Sequence, residues 1–84
     1  MLPTKKELRD LGLYSITIEP AFNSKDEFIY IHARQISHLS DGTHKIEAAT
    51  IEDGFTQLIQ KGKLFVALSN IGRLATNQGS NHES

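Results

Sequence analysis

Residues 27–50 read EFIYIHARQISHLSDGTHKIEAAT, and this stretch decides the fold. Neither Gly nor Pro interrupts Glu27 to Leu39, and its aromatic and β-branched residues predict a strand. Asp41-Gly42 follows, a dipeptide that accepts positive φ at both centres of a two-residue hairpin turn. With that turn, Ser40 faces Thr43, Leu39 faces His44, Ser37 faces Ile46, Gln35 faces Ala48 and Ala33 faces Thr50. Side chains alternate along a strand, so the register sorts them into two faces. One holds Ile29, Ile31, Ala33, Gln35, Ser37, Leu39, His44, Ile46, Ala48 and Thr50, an aliphatic set suited to helices. The other holds Phe28, Tyr30, His32, Arg34, Ile36 and His38 with Lys45, Glu47 and Ala49.

On the N-terminal side, Leu13 to Glu19 alternates, with Tyr14, Ile16 and Ile18 on one side and Ser15, Thr17 and Glu19 on the other. That is the pattern of a half-buried strand. Pro20 is expected to end it, leaving residues 20–26 as a connection. Thr4 and Glu7 have the spacing of a reciprocal capping box, which predicts a helix of about two turns that Gly12 stops in the left-handed conformation.

On the C-terminal side, Thr50 can cap a second helix with Asp53 three residues on. Ile51, Gly54, Phe55, Leu58 and Ile59 share one face, and Gly54 there implies close approach to the sheet. Lys61 and Gly62 look like its end. Lys63 to Ser69 (KLFVALS) then reads as a fourth strand buried on both sides, joined to the third by a right-handed parallel crossover. From Thr76 onward nothing is apolar, so residues 76–84 are expected to be a disordered tail to a single domain, 1–75. The expected fold is a two-layer α+β sandwich of order α-β-β-β-α-β. A mostly antiparallel sheet carries two helices on one face.

Composition narrows function. The chain has 84 residues, a formal charge of −1 and no cysteine, which removes disulfide, thiolate-metal and cysteine-nucleophile chemistry. Its apolar runs are too short for a membrane span or a signal peptide, so a cytoplasmic location is expected.

His32, His38 and His44 invite a metal reading that geometry opposes. His32 and His38 would stand about 20 Å apart at ~3.3 Å per residue, with His44 on the opposite face. Ser37 and His38 point to opposite faces and make no nucleophile–base pair. No nucleotide-binding, nucleophile-elbow or zinc-protease motif is present, so neither catalysis, a cofactor nor a small-molecule substrate is indicated.

Two helices cover only one side of such a sheet. The other side would then present an apolar patch rimmed by polar groups, as contact surfaces do, and it is rich in the aromatic and Arg side chains of interface hot spots. The candidate partner-binding residues are therefore Phe28, Tyr30, His32, Arg34, Ile36, His38 and Lys45. The expected function is a non-enzymatic interaction module, a small regulator or inhibitor that binds a protein or a second copy of itself. The alternative is a single-stranded RNA or DNA binder using the same face, with Phe28 and Tyr30 stacking bases and Arg34 and Lys45 meeting phosphates.

Overall fold

The computed structural model describes residues 2–22 and 27–83, with side chains as far as residue 71. The elements are α1 (Lys5–Asp10), β1 (Leu13–Phe22), β2 (Glu27–Ile36), β3 (Asp41–Ala48) and α2 (Ile51–Glu83). The three strands form an antiparallel sheet in the order β1-β2-β3. With the helices packed against it, this is an α+β fold of order α-β-β-β-α.

Both helix starts follow from their caps. The Glu7 amide donates to Thr4 Oγ1 at 3.2 Å, and the Asp53 amide to Thr50 Oγ1 at 3.2 Å. The first box closes differently from expectation. The Thr4 hydroxyl donates to the Glu7 carboxylate at 3.2 Å, where the expected bond ran from the Thr4 amide. Gly12 stops α1 at φ +72°, and the Ile36 amide donates to its carbonyl at 3.0 Å, tying the helix end to the far end of β2.

The hairpin register differs from the one Asp41-Gly42 predicts. Ile36 pairs with Asp41, Ala33 with His44, Ile31 with Ile46 and Ile29 with Ala48. The loop is Ser37–Ser40, held by Ser37 Oγ, which accepts from the amides of Leu39 at 3.3 Å and Ser40 at 3.2 Å. Asp41 is held by Arg34 instead of turning the chain. A four-residue loop replaces a two-residue one. Because both lengths are even, every strand residue keeps its face, while Ser37, His38, Leu39, Ala49 and Thr50 leave the sheet.

β1 also differs. It runs past Pro20 to Phe22, so residues 20–22 of the expected connection are strand and 23–26 lie outside the described residues. A bulge lies between Tyr14 and Thr17, where Ser15 adopts φ +51°. An extra residue flips the alternation. Leu13 pairs with Gln35 and Ile18 with Ile31 on the helix side, while Tyr14 pairs with Arg34 and Thr17 with His32 on the other. Tyr14, Ile16 and Ile18 therefore do not share a face.

The fourth strand and its parallel crossover do not exist: Lys63–Ser69 is part of α2. Gly54, Leu58, Gly62, Phe65 and Ser69 follow each other at helical spacing, the first four over the sheet and Ser69 over the hairpin loop. A Cβ on Gly54 would stand 2.6 Å from Ile31 Cδ1, and one on Gly62 3.2 Å from Leu13 Cδ1. Phe65 packs edge-on against the His44 ring, with centroids 5.9 Å apart. The Ser69 hydroxyl meets Ser37 Oγ at 2.6 Å. Gly62 is thus a point of close approach and not a helix end. An apolar run of seven residues fits a buried strand or a helix equally well by pattern. The α2 backbone is helical through 76–83, where composition leads to the expectation of a disordered tail.

The core is Leu13, Ile31, Ala33, Ile46 and Leu58, with Leu8, Leu11, Ile16, Ile29 and Phe55 packed against it. Leu8 and Leu11 bring α1 to the same core as α2. No helix among the described residues is long and apolar enough to cross a membrane.

Candidate functional site: the outer face of the sheet

β2 sets out the outer face because it is the middle strand and its even-numbered residues point away from the core. Phe28, Tyr30 and His32 are half-buried, while Arg34, Ile36 and Lys45 are exposed. The Phe28 and Tyr30 rings meet edge to face, 5.1 Å apart at 88°. The Tyr30 and His32 rings lie 6.1 Å apart at 48°. Lys45 Nζ stands 4.3 Å from the Tyr30 ring centroid, within cation–π range. Tyr30 is the centre of this row, touching a neighbour in each direction.

The core contacts of both helices fall on the other face of the sheet. Phe22, which could have folded over the row, pairs with Glu27 and is 70% exposed. Ile71, the other such residue whose side chain is described, is 62% exposed on α2. Leu74 lies beyond the described side chains. Phe28, Tyr30, His32, Arg34, Ile36 and Lys45 are brought together. His38 is not: it sits in the Ser37–Ser40 loop because the hairpin closes at Ile36.

Two carboxylates that the hairpin alone did not reveal complete the electrostatics. Glu19 of β1 faces Tyr30, and its Oε2 lies 3.2 Å from His32 Nε2. Asp41 receives the Arg34 guanidinium at both oxygens. That hydrogen bond with Asp41, reinforced by its charge, raises the Arg34 pKa, and the same bond with Arg34 holds the Asp41 carboxyl below its ordinary value. Two fixed cations, Arg34 and Lys45, thus share the face with three carboxylates, Glu19, Asp41 and Glu47. The face is mixed and slightly acidic, not mildly basic as the hairpin residues alone imply. The signal for Glu19 was the alternation of β1; the bulge at Ser15 leaves Thr17 and Glu19 on the side that carries Tyr30.

His44 lies on the opposite side, as expected, and takes part in a buried network. Gln35, fully buried, donates from Nε2 to the carbonyls of Leu11 at 2.7 Å and Gly62 at 2.9 Å. Its Oε1 must then accept from His44 Nε2, at 2.6 Å. Burial and, secondarily, the charge of Lys61 push the His44 pKa down. This histidine works in the structure of the core layer, not on the outer face.

A second apolar feature escaped sequence reasoning. Leu64, Leu68 and Ile71, at i, i+4 and i+7 on α2, are each more than half exposed. Leu64 and Leu68 line a shallow recess with His44, Lys61 and Phe65. Reading KLFVALS as a strand hid the helical spacing of this stripe. No protein-family model, curated protein or solved structure matches the chain.

Proposed function

We propose that this chain is a non-enzymatic interaction module that binds a protein partner through the outer face of its sheet. The observation that carries this reading is the row Phe28–Tyr30–His32, half-buried side by side on the sheet face opposite the helices, beside Lys45. Rigid aromatic side chains flanked by charges of both signs are the composition of a protein contact surface. Such a surface supplies recognition without chemistry, which suits a small regulator or inhibitor acting by occupying a site on its target.

The charge balance favours a protein over a nucleic acid. Affinity for single strands grows with the number of phosphates neutralised. Here Arg34 is held by Asp41, and Lys45 already stands over Tyr30. Carboxylates from Glu19 and Glu47 would repel a phosphate backbone.

The test is a quantitative pull-down from the source cells with the wild type and Tyr30→Ala, both checked for native circular dichroism. A partner retained by the wild type and reduced at least tenfold by the variant supports the reading. Equal retention by both refutes it. So does salt-sensitive binding to single-stranded RNA of greater affinity than to any protein.

A further inference from the structure

The two edges of the sheet are unlike each other. β1 carries a bulge at Ser15 and, at Pro20, a residue without an amide hydrogen, two devices that discourage pairing with another strand. β3 has neither. It pairs with β2 in one unbroken register over Asp41–Ala48, and among the described residues no strand or loop pairs with its other side. We infer that β3 is the docking edge for a second copy of this chain, the two β3 strands pairing antiparallel about a two-fold axis at Ile46.

The register follows from side chains. Residues opposite each other in an antiparallel pair share a face, so a symmetric pairing must be centred on a residue. Centring on Lys45 or on Glu47 would set that charge against its own copy, which is unfavourable. Centring on Thr43 would place Lys45 against Asp41, already committed to Arg34. Centring on Ile46 places Lys45 opposite Glu47 of the second copy, and Glu47 opposite its Lys45. Along each strand these charges also alternate, so like charges meet only on the diagonals. On the inner side Ile46 meets its own copy, and His44 lies opposite Ala48, a small side chain beside a large one.

The helices permit this approach. α2 meets the sheet across all three strands, with Gly54 against Ile31 and Ala48, Gly62 against Leu13 and Gln35, and Phe65 against Gly42 and His44. It packs on a face of the sheet, and among the described residues no element pairs with the outer edge of β3. The result is a six-stranded sheet with both outer faces open on the same side. This inference does not depend on what the outer face binds.

Sedimentation of the full chain at tens of micromolar tests it, with Lys45→Glu, Glu47→Lys and the double exchange. Both positions carry exposed side chains, and circular dichroism checks that each variant keeps its fold. The expected result is a wild-type dimer, at least tenfold weaker association in either single variant, and recovery in the double variant, where the pairing charges are exchanged. A wild type that sediments as a monomer overturns the proposal. So does a dimer that neither single reversal weakens, or single reversals whose loss the double exchange fails to restore.

Discussion

Gln35 Oε1 and His44 Nε2 are joined by a 2.6 Å hydrogen bond across β2 and β3, beneath α2. Because Gln35 also donates to Leu11 and Gly62, one side chain connects α1, both of these strands and α2. Replacing it by Leu preserves bulk but leaves two carbonyls and an imidazole without that partner. Each polar group left unsatisfied in the interior costs roughly 1–3 kcal/mol. At about 4–8 °C per kcal/mol for a domain of this size, Gln35→Leu should lower the melting temperature by ~10 °C or more. Calorimetry checks this; a loss of a degree or two would mean the network contributes little.

Burial of His44, with the charge of Lys61 nearby, predicts a pH dependence. The folded-state pKa of His44 is depressed, so on acidification the unfolded chain binds this proton first. Stability attributable to the neutral imidazole is complete above about pH 6.5, the unfolded value, and is lost as pH falls toward the folded value. Asp41 acts in a separate, more acidic window, because its depressed pKa removes stability only below the ordinary carboxylate range. Urea midpoints measured between pH 7.5 and 5 should decline for the wild type. The decline should flatten in His44→Phe, whatever its absolute stability. An unchanged slope would place the titrating group elsewhere.

Two glycines should respond differently to Ala. At Gly12, φ is +72° and the new Cβ would collide with the backbone carbonyl of Ile36, which cannot give way without moving β2. The left-handed conformation alone costs about 1–2 kcal/mol and overpacking a further ~1–3 kcal/mol. At Gly54 the nearest atom is the tip of Ile31, and Ala gains about 1 kcal/mol in helix propensity. Chemical denaturation should therefore show a loss of at least ~2 kcal/mol for Gly12→Ala and a change within ~1 kcal/mol for Gly54→Ala. Equal effects would contradict the packing described.

The outer face was legible in the sequence because side-chain parity survives a change of loop length from two to four residues. Phe28, Tyr30, His32, Arg34, Ile36 and Lys45 stay together although β2 and β3 pair in a different register. His38 was misplaced because Ser37 caps the loop amides and the strand ends at Ile36, three residues before Leu39. Residues 63–69 were illegible as a helix because Gly62 imitates a stop. Its partner is Leu13, far away in sequence, and local pattern carries no trace of that contact. The bulge at Ser15 was hidden likewise, since LYSIT alternates perfectly as written.

Ser37 and Ser69, whose hydroxyls are 2.6 Å apart, tether the hairpin tip to α2. A double-mutant cycle with Ser37→Ala and Ser69→Ala should give a coupling of about 1 kcal/mol, the net size of a single hydrogen bond. Additive losses would show that α2 does not reach the hairpin in solution.

The most direct test of the contact face is hydroxyl-radical footprinting of the chain alone and with the protein it retains, read residue by residue by mass spectrometry. Phe28 and Tyr30 should be oxidised in the free chain and protected several-fold in the complex, while Leu64 and Leu68 keep their reactivity. Unchanged oxidation of Phe28 and Tyr30, with protection on the α2 stripe instead, would contradict the assignment of the outer face.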